Sequence, residues 1–255
     1  LPLAEEQGRA RNVIALELVQ GLAAEGYRLE VTPARVAIRA SEPEGLFHGC
    51  RALRQLLPAD VESSSSATGV AWTVPAVVVE DQPRFPWRGL MIDPARGFLA
   101  VDVVKSVIDL MALYGMNRLH LHLTDDQGWR LAVSAYPKLT ENQEHYSPAD
   151  VRELVGYARE RHILVIPEID MPGHTSAAVS AYPELSCRGE PVTPPTGPGN
   201  YADILCPGKE AVFDFVGEVL AECARLFPGP FVHIGGDEVV KTHWQTCPHC
   251  RRRME

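Results

Sequence analysis

The sequence predicts an α/β fold of the (β/α)8 TIM-barrel type, of which the first four βα units are present, preceded by a small α+β domain. Two observations support this prediction. Four short apolar segments each end in acidic, histidine or arginine side chains, and segments with helical periodicity separate them. The third apolar segment, residues 163–166, contains no polar residue, as expected of a parallel strand that is covered on both faces.

The four predicted strands carry their polar residues to one end of the sheet. In chain order these residues are Asp93 and Arg96, Asp125 and Asp126, Glu168 with Asp170 and His174, and Asp237 with Glu238. Because barrels of this type hold their active sites at the C-terminal ends of the strands, we expect these side chains to form a site.

Three helices are predicted between the strands. The apolar stripe of residues 101–114 is followed by Gly115, which suits a helix C-terminus. Ser147 and Pro148 are typical of the first residues of a helix, which should run to about residue 161. The third helix covers residues 209–227 and ends at Pro228.

The region before the barrel has a different pattern and is predicted to be a small α+β domain. We place it at residues 1–82, and the barrel half at residues 83–255. Its predicted elements are strands at 13–19, 27–31, 36–39 and 72–80, a helix at 44–57, and a flexible serine loop at 63–66.

Asp237 and Glu238 form the most informative pair of residues. Two neighbouring carboxylates in a partly dry site do not both ionise easily, so the pKa of one is expected to rise until it can donate a proton near neutral pH. The alternative is a strand that ends in an ordinary solvated acidic turn, because Gly235 and Gly236 also suit a turn.

Composition excludes some classes of partner. The formal net charge of −9 argues against nucleic acid, and the arginine run at residues 251–253 is too short to reverse it. No apolar run is long enough for a membrane span, and no signal peptide is visible in these 255 residues.

Four ordered signatures within residues 83–250 resemble the catalytic domain of family 20 glycoside hydrolases, the β-N-acetylhexosaminidases. The signatures are RGLMID from Arg88, HLHLTDDQGW from His120, EIDMPGH from Glu168 and HIGGDE from His233. The resemblance implies removal of terminal β-linked N-acetylglucosamine or N-acetylgalactosamine from glycans or chitooligosaccharides, without a cofactor or a metal. It also implies a retaining, substrate-assisted mechanism through an oxazolinium intermediate.

The resemblance assigns roles to six residues. It implies that Glu238 is the general acid and base, and that Asp237 orients the acetamido group of the substrate. Arg96 is expected to bind sugar hydroxyls through its forked donors. Asp125 and His174 match residues behind the general acid, and Asp170 matches another acid of the same pocket.

The resemblance also implies a disulfide between Cys187 and Cys206, on either side of a loop rich in proline and glycine. Such a bridge favours an oxidising compartment, so we expect a secreted or otherwise extracytoplasmic protein. Cys247 and Cys250 are either half of a zinc site or, preferably, a small disulfide or packed thiols, because one Cys-x-x-Cys without a partner is weak evidence.

Two other functions are compatible with the sequence. The first is a metal-dependent barrel hydrolase, whose ligands would be His120, His122, His174, His233 and Asp237. The second is a catalytically incomplete sugar-binding fragment, since a complete barrel needs about 250 residues by itself. Trp129 is expected either to stack on a sugar or, more simply, to be half-buried at the base of a loop.

Overall fold

The structure is a computed structural model that describes residues 13–63, 65 and 68–255. The chain divides into two compact units, and the division falls between Pro86 and Trp87. Residues 1–12 and Ser64 and Ser66 of the predicted serine loop lie outside the described residues.

The first unit is a four-stranded sheet with one helix. Its elements are β1 (Val13–Leu18), β2 (Tyr27–Val31), β3 (Arg35–Ala40), α1 (Pro43–Leu56), a short 3-10 turn (Ala59–Glu62) and β4 (Val77–Asp81). The sheet order is β1-β3-β2-β4, with β1 parallel to β3 and the other pairs antiparallel. The strand predicted at 72–80 begins only at Val77 in β4. Pro75 has no backbone N–H to donate to a neighbouring strand.

The core of the first unit lies between this sheet and α1. Alternate residues of β2 point inward, as a period of two predicts, and Leu53 of α1 packs against them. Gly45 permits the close approach of α1, because a Cβ there would lie 2.2 Å from the carbonyl oxygen of Gly26.

The second unit is built on a parallel sheet with the order β5-β6-β9. Its strands are β5 (Gly89–Ile92), β6 (Arg118–His122), β7 (Thr124–Asp125), β8 (Gly128–Trp129) and β9 (Leu164–Glu168). Its helices are α2 (Val101–Leu113), α3 (Pro148–Arg159), α4 (Ser176–Ala181), α5 (Glu210–Leu226), α6 (Thr242–Thr246) and α7 (Pro248–Met254), with 3-10 turns at Pro137–Leu139 and Pro183–Leu185.

Helices α2 and α3 have the buried stripe and the terminal caps that the sequence predicts. Val104, Ile108 and Met111 make up the buried stripe of α2, and Gly115 follows it with a φ of 70°. Ser147 caps α3 in a reciprocal arrangement: its Oγ accepts from the backbone N–H of Asp150, and the side chain of Asp150 accepts from the N–H of Ser147. These helices connect parallel neighbours, as in a βα barrel.

The fourth predicted strand, around residues 231–234, is not a regular strand. His233 forms one isolated parallel bridge with Glu168, and its backbone N–H donates to the carbonyl of Pro167 at 2.9 Å. The segment therefore follows β9 without a continuous ladder. Pro167 has no N–H to contribute, and Gly235 and Gly236 turn the chain at φ values of 62° and 97°.

Apolar side chains are exposed at the edges of this sheet. A cavity of about 450 Å³ is lined by residues that include Leu90, Met91 and Phe231. These three side chains are exposed, and Ile234 beside them is also exposed. Within the described residues, no helix is both long enough and apolar enough to cross a bilayer.

Candidate active site

Asp237 and Glu238 lie on a tight turn that follows the bridged segment. Gly235, Gly236 and Glu238 all have positive φ values, and the preceding Ile234 accepts a hydrogen bond from the backbone N–H of Met171. The side chains of Asp237 and Glu238 are 66% and 55% exposed. The turn therefore presents both carboxyl groups to solvent above the end of the sheet.

Asp170 lies directly beneath this turn. Its side chain is buried, and its Oδ1 accepts the backbone N–H of Gly236 at 3.1 Å. Burial raises the pKa of Asp170 to about 6; the Gly236 N–H opposes this rise and the charge of Asp237 adds to it. The raised pKa thus occurs on Asp170, while the expected rise within the Asp237 and Glu238 pair stays a prediction.

His174 connects Glu238 to a buried pair of acids. Its Nε2 lies 3.4 Å from Oε2 of Glu238, and its Nδ1 lies 3.3 Å from Asp125 and 3.2 Å from Asp126. Burial lowers the pKa of His174, but the carboxylates of Asp125, Asp170 and Asp126 outweigh burial and raise it. The imidazole is therefore held toward its charged form between the exposed and the buried carboxyl groups.

Asp125 joins this histidine to Arg96. The Nη2 of Arg96 contacts Oδ2 of Asp125 at 2.6 Å, while its Nη1 contacts Asp93 at 2.7 Å. Burial alone would raise the pKa of Asp125, but hydrogen bonds from His122 and from the Asp126 N–H, together with Arg96 and His174, lower it. Arg96 is about half exposed, so its guanidinium contacts two acids and still faces the site opening.

The structure thus brings all six residues predicted for the site into one connected set. Arg96 contacts Asp125, Asp125 lies 3.3 Å from His174, and Nε2 of His174 lies 3.4 Å from Glu238 and 3.9 Å from Asp237. Asp170 contacts the same turn from below. The six residues follow three strands and the bridged segment around His233, at the same end of the sheet.

Sequence reasoning missed the role of Asp126. This buried acid accepts from both the backbone N–H and the hydroxyl of Ser176, and it faces His174. It therefore fixes the start of α4 and the orientation of the imidazole. The adjacent acids Asp125 and Asp126 were the available signal, but only contacts across the fold separate their tasks.

A second cluster surrounds Glu168. His120 and His122 lie 2.5 and 2.8 Å from its Oε2, and His233 lies 3.2 Å from its Oε1. Burial raises the pKa of Glu168, but the histidines outweigh it and lower that pKa, while the pKa of His122 rises to about 10. The cluster ties β6, β9 and the bridged segment together.

The ligand set of the metal-hydrolase hypothesis does not come together. His120, His122 and His233 surround Glu168, whereas His174 and Asp237 belong to another group with Asp170. Within the described residues, the five proposed ligands therefore fall into separate groups. Trp129 is also unlike a sugar-stacking residue, because it is buried and packs against Phe215.

The predicted disulfide between Cys187 and Cys206 is not formed, and all six cysteines are free. The sulphur of Cys206 lies 3.4 Å from Cys250 and 3.8 Å from Cys247, and that of Cys187 lies 3.7 Å from Cys250. The two cysteines bracket a loop as expected, but α6 and α7 bring two further thiols into the same place.

Comparison with known families matches both units. Residues 85–255 match the catalytic domain of glycosyl hydrolase family 20, and residues 1–82 match domain 2 of the same family. A solved hexosaminidase from Streptomyces coelicolor has a TM-score of 0.87 at 44% identity, with 97% of this chain and 52% of that one covered.

Two further relatives extend the comparison. A β-hexosaminidase from Porphyromonas gingivalis is 41% identical over 100% of this chain and 34% of its own length. A mutant Streptomyces plicatus β-hexosaminidase, solved in complex with its product GlcNAc, has a TM-score of 0.87 at 43% identity, with 98% of this chain and 51% of that one covered. The chain thus spans about a third to a half of the relatives it matches.

The parallel βα units and the acidic strand ends, together with these matches, define the class of the second unit as a barrel-type glycoside hydrolase domain. The chain belongs to glycosyl hydrolase family 20, and it contains the family's domain 2 and part of its catalytic barrel.

Proposed function

We propose that the protein hydrolyses terminal β-linked N-acetylhexosaminides with retention of configuration, using the substrate's own acetamido group as the nucleophile. The observation that carries this proposal is the exposed pair of Asp237 and Glu238, with His174 and Asp125 lying beneath Glu238. The names of the relatives support the substrate class, since they are described as hexosaminidases.

In the first step, Glu238 donates its proton to the glycosidic oxygen as the bond from that oxygen to the anomeric carbon breaks. The acetamido oxygen bonds to the anomeric carbon, and an oxazolinium ion forms. Asp237, which is the more exposed of the two acids, accepts a hydrogen bond from the acetamido N–H and stabilises the positive charge. One protein carboxyl moves the proton, so the two acids have different tasks.

In the second step, Glu238 acts as a base and water attacks the anomeric carbon. The proton of the water passes to Glu238, the bond to the acetamido oxygen breaks, and the sugar is released with its configuration retained. His174 positions Glu238 from below, and Asp125 and Asp126 hold the imidazole. Arg96 is available to bind sugar hydroxyls because half of its side chain is exposed.

The expected substrates are glycans or chitooligosaccharides that end in an N-acetylhexosamine. The Streptomyces plicatus complex with product GlcNAc supports the gluco configuration as the first to test. Export from the cytoplasm stays a prediction, and the disulfide that favoured it is not formed.

The test is release of an aryl alcohol from an aryl β-N-acetylglucosaminide, with and without a chelator. Glu238→Gln should lower kcat by about 100-fold or more, since general acid catalysis contributes about that much. Asp237→Asn should also lower kcat. Glu218→Gln, an exposed glutamate on α5, is the matched control and should leave the rate unchanged.

A second readout separates the mechanism from the substrate class. An aryl β-glucoside has no acetamido group, so it should not react, and a thiazoline analogue of the oxazolinium ion should inhibit. Loss of activity on chelation with the folded structure intact by circular dichroism would favour the metal-hydrolase alternative. The absence of both turnover and stabilisation by N-acetylglucosamine would contradict the proposal. It would favour a catalytically incomplete protein.

A further inference from the structure

Four cysteines from three separate segments converge in the second unit. Cys187 follows the 3-10 turn after α4, Cys206 precedes α5, and Cys247 and Cys250 belong to the start of α7. The sulphur atoms of all four lie within 4.8 Å of one another. Cys206, Cys247 and Cys250 are buried and Cys187 is partly buried, so the cluster is closed to bulk solvent.

The distances within the cluster suit a tetrahedral metal site. Zinc with four thiolates at about 2.3 Å places neighbouring sulphur atoms about 3.8 Å apart. Three of the pairs are 3.4, 3.7 and 3.8 Å apart. Cys250 is near Cys206 and Cys187, and Cys206 is also near Cys247, so these contacts do not divide into two separate pairs.

The backbone around the cluster is also arranged for thiolates. Cys247, Pro248, His249 and Cys250 have the Cys-x2-Cys spacing that is typical of zinc ligands. The backbone N–H groups of His249 and Cys250 donate to the sulphur of Cys247, and the N–H of Gly208 donates to that of Cys250. Such donors stabilise negative sulphur.

Gly208 is required for this approach. A Cβ at this position would lie 2.3 Å from the backbone nitrogen of Cys250 and 2.3 Å from the carbonyl carbon of His249. The turn after Cys206 and the turn between Cys247 and Cys250 therefore meet backbone to backbone, and each carries its cysteines to the common centre.

We propose that Cys187, Cys206, Cys247 and Cys250 bind one zinc ion in a structural site. Four protein sulphurs fill a tetrahedral shell and leave no open position, so the site stabilises the fold and has no part in the chemistry. It clamps the loop that ends at Cys206 to α6 and α7, which follow the turn of Asp237 and Glu238.

Contacts around the cluster support this clamp. The indole N–H of Trp244 in α6 donates to the carbonyl of Leu205 at 3.0 Å, and the N–H of Cys206 donates to Leu185 at 2.9 Å. Lys209 donates to the carbonyls of Glu184 and Ser186. The three segments are thus already aligned, and the metal would fix the chain immediately after the candidate catalytic pair.

The test is the metal content of the 255-residue chain, purified without added chelator. We expect about one zinc per chain, released when a mercurial reagent blocks the thiols. Cys206→Ser and Cys250→Ser should reduce the bound zinc at least tenfold. Cys50→Ser and Cys223→Ser are matched controls outside the cluster, one exposed and one buried, and both should retain the metal.

A second measurement does not depend on how the variants fold. Cobalt exchanged into the unsubstituted protein should give the intense thiolate-to-metal and ligand-field bands of a tetrahedral four-sulphur site. Two disulfides instead of a metal would appear as an intact mass four hydrogens lower and no reactive thiols in the cluster. That result, or four reactive thiols without bound zinc or the cobalt spectrum, would overturn the proposal.

Discussion

The backbone N–H of Gly236 donates to Oδ1 of Asp170 at 3.1 Å, so the turn that carries the candidate catalytic acids rests on a buried carboxyl group. Asp170 is itself held by its backbone N–H, which donates to the hydroxyl of Thr124. The position of Glu238 is therefore connected to β7 and to the end of β9 through Asp170.

Asp170→Asn should remove a pH dependence from the stability of the fold. The pKa of Asp170 is raised to about 6 in the folded chain from 3.8, so the native state favours the protonated form. The contribution of the protonated carboxyl group to the free energy of unfolding is fully present below about pH 4. It is lost as the pH rises through 6, and the total loss is about 3 kcal/mol. Asparagine stays neutral and can still accept from Gly236.

Urea unfolding between pH 4 and pH 7 measures this difference. Relative to the unsubstituted chain, the unfolding free energy of Asp170→Asn should increase as the pH rises. Asp214→Asn, an exposed acid on α5, is the control and should show no such change. Parallel pH profiles for Asp170→Asn and the unsubstituted chain would disprove the assignment.

Gly235→Ala should disable the site. Gly235 has a φ of 62°, and a Cβ there would lie 1.8 Å from Oδ1 of Asp170, so the turn must move. We expect a loss of more than 1 kcal/mol of stability and at least a tenfold fall in kcat. Thermal unfolding and the aryl glycoside assay measure the two effects.

Gly217→Ala is the matched control for this substitution. Gly217 lies in α5, where an added Cβ meets nothing within 4 Å. Alanine should stabilise this helix by up to about 1 kcal/mol and leave the rate unchanged. Equal effects of the two substitutions would show that the space around Asp170 does not constrain the turn.

Arg96→Lys should weaken substrate binding. The guanidinium reaches Asp93 and Asp125 through separate nitrogens, and a single ammonium cannot reproduce this fork. We expect kcat/KM to fall by about 10- to 100-fold, mainly through KM, because a hydrogen bond to a charged group contributes about 1.5–3 kcal/mol.

Arg161→Lys is the matched control for Arg96→Lys, since Arg161 pairs with Asp109 elsewhere on the second unit. It should leave kcat/KM unchanged. An unchanged KM in Arg96→Lys would make Arg96 a structural ion-pair residue and not a substrate contact.

His122→Gln should destabilise the sheet below pH 10. The imidazole lies between Glu168 and Asp125, and its pKa is raised to about 10 although burial lowers it. Its contribution is therefore fully present below about pH 6.5 and is lost as the pH rises through 10. Removing one partner of a buried pair costs about 3 kcal/mol or more near neutral pH.

Chemical unfolding from pH 7 to pH 10.5 tests this expectation, with His145→Gln as the control. The loss of stability in His122→Gln should shrink as the pH approaches 10, whereas His145→Gln should stay close to the unsubstituted chain throughout. A loss that does not depend on pH would assign His122 a packing role only.

Local patterns predicted much of the fold and of the candidate site. The cap formed by Ser147 and Asp150, the stripe of α2 and the C-terminal Gly115 are found where the sequence places them, because each depends on neighbours within a few residues. The six site residues come together because parallel strands end on one side of a sheet.

The remaining features depend on contacts between distant segments, which spacing does not fix. Cys187 and Cys206 bracket a loop in the sequence, but their packing against Cys247 and Cys250 depends on how α6 and α7 fold back. The weak fourth strand likewise depends on Pro167 and on the paired glycines beside it. The division of tasks between Asp125 and Asp126 is set by Arg96 and Ser176 across the fold.

The open edges of the parallel sheet affect how the protein behaves in solution. Leu90 and Met91 in edge strand β5, and Phe231 and Ile234 in the bridged segment after β9, expose apolar surface next to strand edges that can pair with another chain. When this polypeptide is produced by itself, its sedimentation should become concentration-dependent, and lysine at Met91 or Phe231 should keep it dispersed.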